Sequence, residues 1–164
     1  MGDVSIRPAA AADAAAICLI YNQGIEDRLA TLETELRTLG ERREWMAARS
    51  PRHPVIVAET GGQVVGWASL NRFNPRPAYD HVADISVYIE RGWRGRGVGG
   101  RLIETLVSLG GEHRYHKLVL AAFPFNGAGM ALYERSGFRP VGVYREQGFL
   151  DGAWVDVIVM ERLL

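Results

Sequence analysis

Apolar and polar side chains alternate most regularly over residues 83–89. This period of two predicts a strand with one apolar face and one face that carries Asp84, Ser86 and Tyr88. A glycine-rich run over residues 94–100 follows. An apolar stripe at helical spacing comes next, formed by Val98, Leu102, Leu106 and Leu109. The pattern therefore predicts a strand, a glycine-rich loop and a helix in that order.

The same pattern predicts six further strands and three further helices. Strands are expected over residues 4–7, 55–59, 63–70, 117–122, 141–144 and 154–163. Helices are expected over residues 13–21, over residues 38–46 behind a capping box of Thr38 and Glu41, and over residues 126–133 behind Asn126. The order β-α-α-β-β-β-α-β-α-β-β predicts one mixed α/β domain over residues 1–164.

Composition and charge narrow the class of protein. Apolar residues make up 48% of the 164 residues, and Lys+Arg equal Asp+Glu at 19 each. This balance indicates neither a nucleic acid nor a membrane as a partner. Cys18 is the single cysteine, which excludes an internal disulfide framework. Because no signal peptide is visible after Met1, a cytoplasmic location is expected.

The glycine-rich run is typical of an anion site, because closely spaced glycines expose backbone amides and a helix begins among them. Arginines at 94 and 96 add positive charge, so the expected ligand is a pyrophosphate. Gly95, Gly97 and Gly100 satisfy the dinucleotide fingerprint G-x-G-x-x-G, but the acidic residue expected about 20 positions later is missing. A nucleotide-binding G-x-x-x-x-G-K-[ST] loop is excluded, because no lysine follows the glycines.

Two motifs carry a family resemblance. Arg94-x-x-Gly97-x-Gly99 resembles the acyl-CoA pyrophosphate loop of the GNAT superfamily of N-acyltransferases, and residues 126–138, an Asn, a helix with Tyr133 and then Gly-Phe, resemble its second signature. The resemblance extends over essentially the whole chain and its order of elements. It implies the GNAT fold, a mixed and mostly antiparallel central sheet flanked by helices. It also implies acetyl-CoA as the acetyl donor and no metal.

The resemblance further implies that the strand at 83–89 splays from the strand at 117–122 and that acetyl-CoA lies in the gap. Acetyl transfer to an amine needs a base, a polarised carbonyl and an acid for the thiolate. Asp84 is the candidate base, directly or through a water, and Tyr133 is the candidate acid. The residues expected at the cofactor are Val87, Tyr88, Ile89, Arg94, Gly95, Arg96, Gly97, Val98, Gly99, Gly100, Asn126 and Tyr133.

Other interpretations of these side chains stay open. Asp84 could be a solvated or salt-bridged strand carboxylate. Tyr133 could pack in the core, and Asn126 could be only a helix cap. His113 and His116 lie three apart, but no further cluster of ligands suggests a metal site.

The loop before Asp84 bears on the acceptor. Residues 76–89 and 148–156 resemble phosphinothricin N-acetyltransferases and their arsinothricin- and methionine-sulfoximine-acetylating relatives. The resemblance implies acetylation of the α-amino group of a small acidic amino acid analogue, a role in resistance, and a homodimer. Arg76 and Arg72 would hold the acidic group, while Tyr79 and Glu26 would line the pocket. A basic surface loop without a ligand is the alternative for both arginines.

Two other functions share the cofactor motifs. A protein or peptide N-terminal acetyltransferase would need an open groove for its substrate. The proline-stiffened loop over residues 71–80 argues mildly against such a groove. A non-catalytic acyl-CoA-binding module would need neither Asp84 nor Tyr133.

Overall fold

A computed structural model describes residues 2–164, in which seven strands form one sheet. The elements follow the expected order, which is thereby confirmed. They are β1 (Ser5–Pro8), α1 (Ala14–Glu26), α2 (Leu39–Ala47), β2 (Val55–Thr60), β3 (Gln63–Arg72), β4 (Val82–Ile89), α3 (Val98–Glu112), β5 (Lys117–Ala122), α4 (Gly127–Arg135), β6 (Arg139–Leu150) and β7 (Ala153–Leu163). Short 3-10 turns lie at Ala11–Asp13, Pro77–Tyr79 and Arg91–Trp93.

The sheet has the order β1-β2-β3-β4-β5-β7-β6. All neighbouring strands are antiparallel except β4 and β5, which are parallel. The predicted mixed, mostly antiparallel sheet is therefore confirmed. β4 and β5 pair only where residues 82–84 face residues 117–119. Since β4 continues to Ile89 and β5 to Ala122, the two strands separate beyond this pairing and leave a cleft.

Helices cover both faces of the sheet and give β4 two different environments. On one face the apolar stripe of α3, including Leu102 and Leu106, packs in a buried cluster with Ile85. On the other face Tyr88 packs against the cluster that α1 forms with Trp67. Full burial of one such apolar side chain contributes about 1.5–3 kcal/mol. The alternation along β4 therefore turns Asp84, Ser86 and Tyr88 towards the side of α1 and α2.

The capping box predicted for α2 is present. The amide of Glu41 donates to the Thr38 hydroxyl at 3.1 Å, and the Thr38 amide donates to the Glu41 carboxylate at 3.2 Å. α1 extends to Glu26 because Ile25, near its end, is still buried in the core.

β6 is much longer than the strand expected over residues 141–144. Its pairing with β7 is irregular between Pro140 and Gly142 and again between Tyr144 and Gly148, and Glu146 has a φ of 51°. Each irregularity shifts the alternation of faces, and residues 139–147 are all exposed at the edge of the sheet. An irregular strand without a buried face leaves no period-two pattern in the sequence.

Candidate active site

Two cavities meet at Tyr88, which lines both. The first, of about 420 Å³, lies where β4 and β5 separate and is bounded by the glycine-rich loop and α4. We name it the donor cavity. The second, of about 940 Å³, lies on the α1 and α2 side of β4 and contains Asp84 and Ser86. We name it the acceptor cavity.

The loop before α3 leaves its backbone open to the donor cavity. Gly95 and Gly97 have φ angles of 75° and 83°, which side-chain-bearing residues rarely adopt. A Cβ atom added at either glycine would meet no atom within 4 Å. Gly97 is the N-cap of α3 and provides no side-chain hydrogen bond to the helix. The first amides of α3 are therefore available to an anion such as a pyrophosphate.

Gly99 has a packing role in the same loop. A Cβ atom at this position would lie 2.8 Å from the Leu132 Cδ2 atom of α4. The absence of a side chain at Gly99 thus lets α4 approach the first turn of α3. Gly99 and Leu132 both line the donor cavity, so this contact sets how closely α3 and α4 approach each other at the cavity wall.

The structure separates the two arginines of the loop. Arg94 lines the donor cavity, and its Nη1 atom lies 2.6 Å from the Asp27 carboxylate. Hydrogen bonds from Arg91 and Arg94 lower the pKa of Asp27 below its ordinary value, so this carboxylate remains charged. Arg96 instead lies over the Trp93 ring, at 4.9 Å, and is not among the residues that line the donor cavity.

All other residues expected at the cofactor line the donor cavity, and they are Val87, Tyr88, Ile89, Gly95, Gly97, Val98, Gly99, Gly100, Asn126 and Tyr133. Asn126 also caps α4, because its side-chain oxygen accepts from the Gly129 amide at 3.1 Å. Its amide group donates to the Leu29 carbonyl at 3.2 Å and thereby ties down the segment that follows α1. The expected helix cap is present, and it holds Asn126 at the cavity wall.

Asp84 is a poised carboxylate. It is half-buried and lines the acceptor cavity, and no salt bridge within residues 2–164 involves it. Burial raises the pKa of Asp84 to about 6, and the Asn71 side chain on β3 acts against this rise. A carboxyl group whose pKa lies near neutrality can take up a proton from an amine and release it again.

Tyr133 lies on the donor side of the same region. Burial, followed by the negative charge of Asp84, raises the pKa of Tyr133 above its ordinary value. The hydroxyl therefore keeps its proton at neutral pH and is able to donate it. The ring also packs edge-on against Phe138 at 6.4 Å between centroids, so a core contact and access to the cavity coexist.

Of the four residues expected at the acceptor, Arg72 and Tyr79 line the acceptor cavity. Arg76 and Glu26 lie outside its lining. Arg76 is exposed at the start of the Pro77–Tyr79 turn, where its backbone N–H donates to Asn74 at 3.0 Å. Glu26 forms an ion pair with Arg91 at 3.2 Å, because the last turn of α1 points towards the loop after β4.

The acceptor cavity also contains charged residues that the sequence patterns did not indicate, namely Glu33, Arg37, Arg42, Arg49 and Arg52. Arg49 donates from Nη2 to the Asn71 side chain at 2.9 Å. The Asn71 amide in turn donates to Ser86 at 3.0 Å. These hydrogen bonds fix the side chains of Asn71 and Ser86 next to Asp84. The available signal was Arg42 three residues before Trp45 on α2, a spacing that puts both side chains on one face of the helix.

Two further findings concern residues 2–164 as a whole. They contain no group of three or more His, Cys, Asp or Glu side chains placed to hold a metal ion. None of their helices combines the length and the apolar character needed to cross a membrane.

Comparisons with known proteins agree with this geometry. The acetyltransferase (GNAT) family matches residues 20–138. An L-methionine sulfoximine/L-methionine sulfone acetyltransferase of Pseudomonas paraeruginosa is 31% identical over 96% of this chain and 92% of its own length.

Two solved structures share the fold at a TM-score of 0.93 each. One is a GNAT superfamily phosphinothricin acetyltransferase from Sinorhizobium meliloti in complex with AcCoA, which is 28% identical and covers 98% of this chain and 88% of that one. The other is a ribosomal-protein-alanine N-acetyltransferase from Brucella melitensis, which is 35% identical and covers 98% of this chain and 99% of that one. The resemblance noted in the two motifs is thereby confirmed, and the chain belongs to the GNAT family of acetyltransferases.

Proposed function

We propose that this protein transfers the acetyl group of acetyl-CoA to the α-amino group of a small acidic amino acid analogue, of the phosphinothricin, arsinothricin or methionine sulfoximine type. The observation that carries the proposal is the meeting of the two cavities at Tyr88, with Asp84 in one and an open anion loop in the other. Relatives named for phosphinothricin and methionine sulfoximine support this class of acceptor. Acetylation of such a compound removes its positive charge, which suits a role in resistance.

The residues divide the reaction between them. The amides of the loop before α3 and the Arg94 guanidinium hold the pyrophosphate of the donor. Asp84 takes up the proton of the acceptor's ammonium group, directly or through a water, and the freed amine attacks the thioester carbonyl. Backbone amides near Val87 and Ile89 polarise that carbonyl. The C–S bond breaks, and Tyr133 donates its proton to the departing thiolate. The nitrogen then loses its second proton, which restores the Tyr133 hydroxyl, and Asp84 releases the first proton to solvent, so that a neutral amide and free CoA leave the site.

Arg72, the last residue of β3, is the arginine best placed for an acidic head group, because it lines the acceptor cavity and forms no salt bridge within residues 2–164. Arg72→Ala should raise KM for phosphinothricin by about 10- to 100-fold, the equivalent of one charge-assisted hydrogen bond. Arg76→Ala is the matched control from the loop that follows β3 and should change KM less than threefold. Mass spectrometry of the N-acetylated product with initial rates measures both. A larger effect of Arg76→Ala than of Arg72→Ala would show that the head group binds at Arg76 instead.

Acetylation of a protein N-terminus is the second candidate. It is favoured by the acceptor cavity, whose volume of about 940 Å³ exceeds that of one amino acid, and by the similarity to the Brucella melitensis protein. A panel of short peptides with free N-termini tests it. Turnover of a peptide at a higher kcat/KM than phosphinothricin would replace the first proposal with this one.

We also propose a homodimer formed through β6. This edge strand is twelve residues long, and with β7 it exposes the large apolar side chains Val141, Val143, Phe149 and Trp154, of which Trp154 is 62% exposed. An exposed apolar edge strand is prone to pairing with another chain. Light scattering should give twice the mass of one chain for the wild type and one chain mass for Val143→Glu. A monomeric wild type at micromolar concentration would refute the dimer.

A further inference from the structure

One guanidinium in the acceptor cavity is buried without a polar partner. Arg42, on α2, is only 6% exposed, and its Nε atom has no hydrogen-bond acceptor within residues 2–164. The described residues also include no carboxylate within salt-bridge distance of Arg42. Burial of an unpaired charge is costly, so a group of this kind calls for an explanation.

Aromatic rings surround this guanidinium. Its central carbon lies 4.4 Å from the ring centroids of both Tyr21 and Trp45, and 5.6 Å from the ring of Trp67. Contacts between a cation and ring faces offset part of the cost of burial. They satisfy none of the N–H donors, which point in the plane of the guanidinium. The in-plane N–H groups of the Arg42 guanidinium therefore still need hydrogen-bond acceptors.

The neighbouring charges are already matched. The Glu33 carboxylate binds Arg37 at 2.8 Å and lies in the same cavity wall. Arg49, which also lies over Trp45, donates to the carbonyls of His53 and Leu70 and to the Asn71 side chain. Among the arginines of α2 and the turn that follows it, Arg42 is the buried one whose donors are not used by the described residues.

The acceptor cavity connects this cation to the reacting end. Trp67 stacks on Tyr88 at 5.0 Å with an angle of 15° between the rings, and Tyr21 meets Tyr88 edge-on at 5.0 Å. Tyr88 lies on the β4 face that carries Asp84, and Arg42 lines the cavity that Asp84 lines. The proposed base and the buried guanidinium therefore face one and the same cavity.

We propose that Arg42 binds the α-carboxylate of the acceptor and so selects free amino acids over amines, amino acid amides and peptide N-termini. A carboxylate is planar and presents two oxygens, which fit the in-plane donors of a guanidinium whose faces are covered by rings. Arg72 is left for the distal head group. The inference rests on the proposed acetyl transfer and narrows its substrate class, because an α-carboxyl group within a peptide bond carries no charge.

Matched pairs of acceptors test Arg42 directly. L-phosphinothricin and L-methionine sulfoximine are each compared with their α-carboxamide, with acetyl-CoA as donor. Wild type should favour the acids in kcat/KM by about 10- to 100-fold. Arg42→Met should lower kcat/KM for the acids by that factor and for the amides by less than threefold. Arg42→Lys should recover only part of the loss, because an ammonium group lacks the forked donors.

Arg43→Met is the control, since Arg43 is exposed on the same helix and does not line the cavity. Arg43→Met should leave the ratio of kcat/KM for the acid to that for the amide unchanged, both for L-phosphinothricin and for L-methionine sulfoximine. Thermal unfolding with acetyl-CoA present shows whether Arg42→Met still folds and binds the donor. A folded Arg42→Met variant that loses the same factor on acids and amides overturns the inference, as does a wild type without preference for the acids.

Failure of the proposed function has a different signature. If wild type acetylates neither member of any pair, acetyl transfer to this class is refuted. Calorimetric titration of L-phosphinothricin into wild type and Arg42→Met, with CoA present, then decides the role of Arg42. Weaker binding to the variant supports the inference, and equal binding or no binding to the wild type overturns it.

Discussion

At the scale of single residues, Asp84 combines burial with the need to carry charge. Its pKa is raised to about 6, mainly by burial. The proposed base can accept a proton only when it is ionised, so kcat/KM should fall as the pH decreases through about 6. A pH profile of initial rates measures this. Asp84→Asn should lose most of the activity, and its remaining activity should no longer fall as the pH decreases through about 6. If the variant still shows the same fall, another group is responsible for it.

The same shift has a consequence for stability. A carboxyl group with a raised pKa binds its proton more tightly in the folded state, so its contribution to stability falls as the pH rises from about 4 to about 6. Asp84→Asn avoids this cost, so it should stabilise the protein at pH 8 relative to pH 4.5. The expected difference is about 2 kcal/mol, because the full shift of about two pKa units is worth about 3 kcal/mol and about a third of it is already present at pH 4.5. Urea unfolding at both pH values measures it, and an equal effect at both would contradict the raised pKa.

Tyr133 acts in the opposite sense, as a group that keeps its proton. Its raised pKa leaves the hydroxyl uncharged at neutral pH. Tyr133→Phe should reduce kcat by about 10²-fold while the affinity for acetyl-CoA changes little. Stopped-flow measurement of thiol release and calorimetry with acetyl-CoA separate the two quantities. A loss of donor affinity with unchanged kcat would make Tyr133 a packing residue.

Residue chemistry was predicted from the sequence where it lies within a motif. Asp84, Arg94 and Tyr133 belong to patterned strands, loops and helices, and all three line the cavities. Arg42 and Glu33 line the same cavity, but no local pattern in the sequence indicates that they do so. Glu26 and Arg76 show the converse, since the resemblance placed both at the acceptor and neither side chain lines the acceptor cavity.

At the scale of elements, the start of α3 lines the donor cavity. Gly97→Ala places a side chain at a φ of 83° and should destabilise the protein by about 1–2 kcal/mol. Gly100→Ala, within the helix and with ordinary φ, should instead stabilise it by about 0.5–1 kcal/mol. Chemical unfolding of both variants measures the difference. Equal destabilisation would show that lost helix packing, and not backbone strain, dominates at these glycines.

Element boundaries followed from the sequence where one face is buried or a cap is present. Thr38 and Glu41 mark the start of α2 by their own side chains, so that start was predicted to within one residue. β6 lies exposed at the sheet edge with two irregularities, so neither burial nor period indicated its length. The separation of β4 and β5 depends on strands distant in sequence. Only the family resemblance indicated it, because strand periodicity carries no information about where pairing ends.

At the scale of the whole molecule, the sheet holds the donor and acceptor cavities on either side of Tyr88. β4 contributes to both, so its position relative to β3 and β5 aligns the reacting groups. Alignment of two bound reactants is itself a large part of catalysis. The proposed acetyl transfer therefore requires one ternary complex, in which donor and acceptor bind to the protein together.

The most direct test measures kcat/KM of the wild type for three acceptors with saturating acetyl-CoA. The acceptors are L-phosphinothricin, its α-carboxamide and a short peptide with an N-terminal alanine. Thiol release, with mass spectrometry of the product, gives all three values under one condition. The account predicts N-acetyl-phosphinothricin as the favoured product, at least tenfold above the other two acceptors. A higher kcat/KM for the peptide, or no acetylated product from phosphinothricin, would contradict it.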